Sequence, residues 1–257
     1  MTMSNKTRAQ RLRLEQERLA KEAQEAREKR IRTIVMISVV GVVALALVGV
    51  VVWTVLGAKR GQEPVAAAQI AEIGAVQGRT LVVGQQDAPV TLDVYQDYMC
   101  PYCGQFERAN RADLQQLVDD GSARLVIHPL AFLDAQSAGT NYSSRAANAA
   151  VTVAQYQPDK LLAYNAILYD RQPAEGSEGL SNEQLAELAR AVGVDDATIQ
   201  RFGADETTAF VAWLTDAAFR NDGIKGTPTV KINGKIFGGD LYSAGPLKAA
   251  VLDAKGS

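Results

Sequence analysis

An α/β fold with a mixed central sheet is predicted for the greater part of this chain, on three observations. A strand–helix–strand pattern runs from Val90 to Ile127. A block of helical periodicity then occupies about residues 140–222. A hairpin signal at Asn233-Gly234 and a closing helix complete the chain. The order βαβ, helices, ββα places strands early and late around a large helical insertion, which is the pattern of a mixed sheet covered by helices.

The elements are justified in order. Thr80-Leu81-Val82-Val83 reads as a short strand, and Asp87-Ala88-Pro89 as a turn. Val90-Thr91-Leu92-Asp93-Val94-Tyr95 alternates and is rich in β-formers, so it is a strand. Phe106, Leu114, Leu117 and Val118 form a helical stripe that Gly121 closes. Arg124-Leu125-Val126-Ile127 is the next strand. Helical segments follow at 143–156 and 160–170, and Ser181 with Gln184 makes a capping box for a helix reaching Ala191. Further helices fit Asp196–Phe202 and Glu206–Asn221. Thr229–Ile232 and Lys235–Phe237 flank the Asn-Gly turn, and Pro246–Ala254 is the last helix.

The N-terminus reads differently. Residues 1–33 carry ten Lys/Arg against five Glu, and Ile34–Leu56 then runs 23 residues without a charge. At about 1.5 Å per residue such a run spans a hydrocarbon core of roughly 30 Å. It predicts one N-terminal transmembrane helix, with Trp53 near the far interface. The basic excess places 1–33 in the cytoplasm and the rest outside, despite Lys59 and Arg60 at the exit. A cleaved signal peptide is the competing reading, but its apolar region spans only about 7–15 residues. Residues 57–78 read as a linker and 79–257 as one domain. Outside the tail the net charge is −7, which argues against a nucleic-acid partner.

The chemistry centres on Cys100-Pro101-Tyr102-Cys103, which holds both cysteines of the chain. Two cysteines placed at random would fall three apart roughly one time in a hundred, so the spacing has a cause. A zinc site needs two further ligands, and the sequence has one His, His128, and no other Cys. Metal is therefore disfavoured and no cofactor is implied, which leaves thiol–disulfide exchange or a small structural disulfide. A loop this short removes little unfolded-state entropy, which weakens the structural role.

With these elements in place the chain resembles the thioredoxin superfamily, and within it the membrane-anchored DsbA-like thiol–disulfide oxidoreductases of actinobacterial type. The resemblance rests on the strand Val90–Tyr95, the CPYC opening a helix, the helical insertion, and Gly226-Thr227-Pro228-Thr229 before the hairpin. It covers about residues 79–257. It implies a thioredoxin-like fold, Cys100 as the exposed nucleophile, Cys103 as the buried resolving thiol, and Thr227-Pro228 as the facing loop with Pro228 in cis.

Local physics agrees with those roles. A helix N-terminus stabilises a thiolate through unpaired N–H groups and the dipole. Pro101 suits the first helical position. Two features depart from the family: Pro-Tyr stands where His is frequent between the cysteines, and Val94 stands where relatives have a buried acid six residues before the first cysteine. Asp93 and Asp97 are near, and an ordinary polar surface role is expected for both. His128 is expected to be structural and Lys225 solvated. Of Tyr98, Met99, Tyr102, Phe106 and Phe132, only Met99 and Tyr102 are expected to be exposed and to meet substrate beside Pro101.

The expected function is an extracytoplasmic, monomeric disulfide oxidoreductase. Its partners are reduced or unfolded secreted proteins and a membrane thiol oxidase of DsbB/VKOR-like kind. Two other readings stand beside it. One is a reductase or isomerase of the same fold, since Pro-Tyr is also the glutaredoxin dipeptide. The other is a non-enzymatic, chaperone-like binding module with inert cysteines.

Overall fold

The computed structural model describes residues 70–256. The basic tail and the apolar run Ile34–Leu56 lie outside the described residues, and no described helix is long and apolar enough to cross a membrane. Among the described residues six strands form one sheet: β1 Val76–Gln77, β2 Thr80–Val83, β3 Val90–Gln96, β4 Ala123–Pro129, β5 Thr229–Ile232 and β6 Lys235–Ile236. Their order is β1-β2-β4-β3-β5-β6. β3 and β4 are parallel and every other pair is antiparallel, so the sheet is mixed.

The helices are α1 Pro101–Asp119, α2 Tyr142–Tyr156, α3 Leu161–Asp170, α4 Asn182–Ala191, α5 Asp196–Ile199, α6 Asp205–Arg220 and α7 Pro246–Lys255. α2 to α6 form the insertion between β4 and β5. α1 and α6 pack on β4 and α7 on β3, while α2 meets α3 and α6 within the insertion. This is the thioredoxin-like arrangement of mixed sheet and helices, with a helical insertion.

Local signals decide the element ends. Asn233 and Gly234 have φ of 48° and 78° and close the two-residue β5–β6 turn, which needs positive φ at both positions. Asn233 also exchanges hydrogen bonds with the backbone of Thr91, at 2.8 Å each way, tying the hairpin to β3. The Ser181–Gln184 capping box forms at the start of α4.

Residues 70–78 correct the sequence reading of a linker reaching 78. Ala75 and Val76 are buried, Ala75 N–H donates to the Ala154 carbonyl at 2.7 Å, and β1 pairs with β2. The two-residue strand is too short to show a period, so only its partner reveals it.

β3 alternates buried and half-buried from Val90 to Asp93 and is then buried through Gln96. It lies between β4 and β5, and at its end Gln96 donates to Asn165 of α3 in the insertion. Leu92, Val94, Leu125 and Ile127 join Phe106, Leu117 and Val251 in the main core. This buried strand end launches the cysteine loop from a fixed position.

Candidate active site

The chain leaves β3 at Gln96 and enters α1 at Pro101 after four residues. Cys100 is the N-cap, with extended φ −69° and ψ 116°, and no side chain caps the helix. Pro101 has no N–H to leave unpaired, and the N–H groups of Tyr102 and Cys103 act on the Cys100 sulfur. The Cys100 carbonyl accepts from the N–H groups of Cys103 at 3.0 Å and Gly104 at 3.2 Å.

The two sulfurs, both free, lie in unequal surroundings. Cys103 is fully buried, and burial with the neighbouring Cys100 pushes its thiol well above the usual value. Its Sγ accepts from the Asp97 N–H at 3.5 Å. Cys100 is drawn down to about 6 from a reference of 9.0, chiefly by hydrogen bonding to Cys103. The Thr227 side chain and the N–H groups of Cys103 and Tyr102 add to the effect, while partial burial opposes it. Cys100 is only 5% exposed, so the sequence-based picture of an openly exposed thiol is corrected. The asymmetry between the thiols is nevertheless large. Alkylation of the reduced protein by iodoacetamide is expected at Cys100 alone, with a rate that rises through a midpoint near pH 6 and then levels. A midpoint near 9 would mean that the thiol is not activated.

The Thr227–Pro228 peptide is cis, and the Thr227 carbonyl accepts from the Cys100 thiol at 3.3 Å. Residues 127 positions apart thus meet at one sulfur. β5 begins immediately after this loop and pairs with β3, so the sheet itself brings loop and cysteines together.

The remaining sequence expectations divide. Tyr102 is 58% exposed beside Cys100, as expected. Met99 is fully buried, with Tyr98 and Phe106, and is not available to substrate. Its N–H is held by Asp97 at 2.8 Å, which turns the side chain into the core. Asp97 is also corrected: it is fully buried and not at the surface. Its carboxylate accepts from Met99 N–H, from Ser143 Oγ at 2.6 Å, and from Leu133 N–H at 3.0 Å. One side chain therefore joins the cysteine loop, the segment after β4 and helix α2. Burial raises its pKa to about 6 despite those three donors.

Asp93 and His128 bond to each other instead, at 3.0 Å. The imidazole stacks on Tyr95 at 3.9 Å between ring centroids. His128 is a packed structural residue of β4, and Asp93 is half-buried rather than a free surface acid. Lys225 is exposed.

Sequence reasoning missed Gln172. Its Nε2 donates to the carbonyls of Cys100 at 2.8 Å and Tyr98 at 3.1 Å, clamping the loop from beyond α3. Gly104 makes room for it, since a Cβ there would lie 2.1 Å from Gln172 Oε1. No local pattern marks a lone Gln 72 residues away as a loop clamp.

Among the described residues no cluster of His, Cys, Asp or Glu has the makings of a metal site. A low-pKa thiol, a buried thiol one helical turn on and a facing cis-proline loop together make a redox dithiol capable of exchange with a protein disulfide.

Comparison with known proteins places this site in a family. Residues 77–250 match the family model described as thioredoxin, and the chain belongs to that family. Solved structures of similar architecture include reduced DsbA from Mycobacterium tuberculosis, 25% identical with a TM-score of 0.56, covering 69% of this chain and 100% of that one. MdbA, a thiol-disulfide oxidoreductase from Corynebacterium matruchotii, is also 25% identical with a TM-score of 0.56, covering 72% of this chain and 92% of that one. Disulfide bond formation protein D of Bacillus subtilis is 27% identical over 157 residues, covering 60% of this chain and 68% of that protein. The serine/threonine-protein kinase PknE of M. tuberculosis is 38% identical over 133 residues, 49% of this chain; the matched part is 24% of that protein's length. Fold, dithiol and family together make this domain a DsbA-like disulfide oxidoreductase.

Proposed function

We propose that the protein donates disulfides to reduced secreted or envelope proteins on the outer face of a membrane. The observation that supports the direction is the place of the Cys100 sulfur at the α1 N-cap, facing the Thr227-Pro228 loop, where neighbouring donors draw its thiol below the ordinary range. A reaction cycle follows from the two thiols. A substrate thiolate attacks Cys100 Sγ of the oxidised pair and Cys103 leaves, taking up a proton. A second substrate thiol then attacks the mixed disulfide, releasing the substrate disulfide and the Cys100 thiolate. Two electrons pass to the pair, and a membrane thiol oxidase of DsbB/VKOR-like kind removes them.

A thiol at about 6 rather than 9 favours the reduced, leaving-group form by roughly 1.4 kcal/mol at pH 7, or about 30 mV. The location is supported by the ten basic residues of 1–33 ahead of the uncharged run Ile34–Leu56. Disulfides also persist outside the cytoplasm.

Equilibrating the full chain with glutathione tests the direction. A reduction potential between about −100 and −180 mV is expected for a disulfide donor. A value near −250 mV or lower would send electrons from the protein to its substrates and establish the reductase reading.

A further inference from the structure

Asn165, Tyr169 and Gln172 are spaced four and three apart, so they share one face of α3 and of the turn that continues it. Gln172 N–H donates to the Tyr169 carbonyl at 3.4 Å, which carries that turn past the end of the helix. All three side chains bond the loop between β3 and α1. Asn165 Oδ1 accepts from Gln96 Nε2 at 2.5 Å and from the Tyr98 hydroxyl at 3.0 Å. The Tyr169 hydroxyl donates to the Asp97 carbonyl at 3.3 Å. Gln172 Nε2 donates to the carbonyls of Tyr98 and Cys100. Gln172 is thus the member of this stripe that reaches the nucleophile.

The support beneath Gln172 is tied to the cysteine helix. Arg108 of α1 donates to the Tyr169 carbonyl at 3.1 Å, and Arg111 donates to the Ala166 carbonyl at 3.1 Å and pairs with Asp170. The Cys100 carbonyl is therefore held from two sides, by the first N–H groups of α1 and by Gln172. The Sγ hangs from the same Cα as that carbonyl. A shift of the loop would move the sulfur away from Thr227 and the N–H groups of Tyr102 and Cys103, and hydrogen bonds weaken steeply with such displacement.

We propose that Gln172 is a positioning residue for thiol–disulfide exchange: by clamping the Tyr98 and Cys100 carbonyls, it holds the Cys100 sulfur against the donors that make it reactive. The proposal rests on the oxidoreductase reading and adds to it a residue from the helical insertion that touches neither sulfur nor substrate.

Two substitutions release the clamp by different routes. Gln172→Met keeps the length of the side chain and removes both donors. Gly104→Ala leaves Gln172 in place, but its Cβ would fall 2.1 Å from Gln172 Oε1, the far end of a flexible side chain, and would push the amide aside. Ala also favours the helix over Gly, so this variant releases the clamp without weakening α1.

The test is the rate of iodoacetamide alkylation of Cys100 in the reduced full chain, followed by mass spectrometry across pH. Each variant is expected to raise the midpoint by about one pH unit, the size of one hydrogen bond to a charged group. The double variant is expected to raise it no further. Cys103, Asp97 and Tyr242, the titratable groups coupled to Cys100, are common to all of these proteins. An unfolded fraction adds a second titration near about 8.5 and does not move the first, so a structural role alone leaves the midpoint in place. An unchanged midpoint in Gln172→Met, or a further rise in the double variant, overturns the proposal. If Gln172→Met does not fold, an unchanged midpoint in Gly104→Ala overturns it. Failure of the unsubstituted protein to exchange with glutathione overturns the oxidoreductase reading instead, so the two failures are told apart.

Discussion

Cys100→Ser is expected to abolish thiol oxidation, lowering the rate by at least about a thousandfold, to the uncatalysed level. The thiolate is the reactive form, and the Cys103 thiol, Thr227 and the N–H groups of Cys103 and Tyr102 act on that sulfur. A serine hydroxyl in the same place remains protonated and cannot form the mixed disulfide. Cys103→Ser is expected to differ in kind. Offered a protein disulfide, the activated Cys100 would attack it and displace one substrate thiolate, and with no Cys103 to attack the resulting mixed disulfide a covalent complex should accumulate. Non-reducing electrophoresis and mass spectrometry check both outcomes, with a reduced protein substrate for Cys100→Ser and a disulfide-containing one for Cys103→Ser. Measurable turnover in Cys100→Ser would show that the dithiol is not the reaction centre, whereas an unreactive, permanently oxidised pair in the unsubstituted protein would favour the binding-module reading.

Asp97→Asn is expected to lower stability and to erase a pH dependence. The carboxylate accepts three hydrogen bonds in a fully buried site. An Asn carbonyl can keep the Ser143 and Met99 donors, but its amide then meets the Leu133 N–H, one donor facing another. Leaving that N–H unsatisfied costs about 1–3 kcal/mol. The pH dependence follows from the raised pKa. Asp97 titrates at about 6 in the fold against 3.8 when unperturbed, so the folded state binds more protons between those values. Its contribution to stability is fully present below about pH 4 and is lost as pH rises through about 6. Two units correspond to at most about 3 kcal/mol. Other groups facing the site also titrate or carry charge, notably Cys100, Tyr142 and Cys103, and they are common to both proteins. The difference in urea stability between the two proteins, measured from pH 4 to 8, therefore isolates Asp97. A difference that does not change with pH would show that Asp97 is already ionised at pH 4.

What could be read without coordinates was local or sharply spaced. The cysteine pair, its place at a helix start, the Asn-Gly hairpin and the Ser181–Gln184 capping box each lie within a few residues. The amphipathic stripe of α1 and the alternation of β3 follow from burying one face. The resemblance carried by CPYC and Thr-Pro supplied the facing loop. The redox poise was not legible: Pro-Tyr brings no positive charge, and the lowering of Cys100 comes from the mutual placement of Cys103, Thr227 and backbone N–H groups.

The misreadings share a cause. Met99 looks like a surface apolar residue beside an exposed motif, yet Asp97 turns it inward. Asp97 and Asp93 look alike in the sequence. One is capped by donors 36 and 46 residues away, and the other pairs with His128 across the β3–β4 ladder. Gln172 carries no motif at all. By itself the sequence determined the cysteine pair and the βαβ…ββα order, because spacing and periodicity are properties of neighbours along the chain, and the resemblance those features carry implied the thioredoxin-like class. Only the tertiary structure decided which thiol ionises, which acid is buried and which side chain clamps the cysteine loop, because each depends on long-range approach that excludes water from one group and brings donors to another.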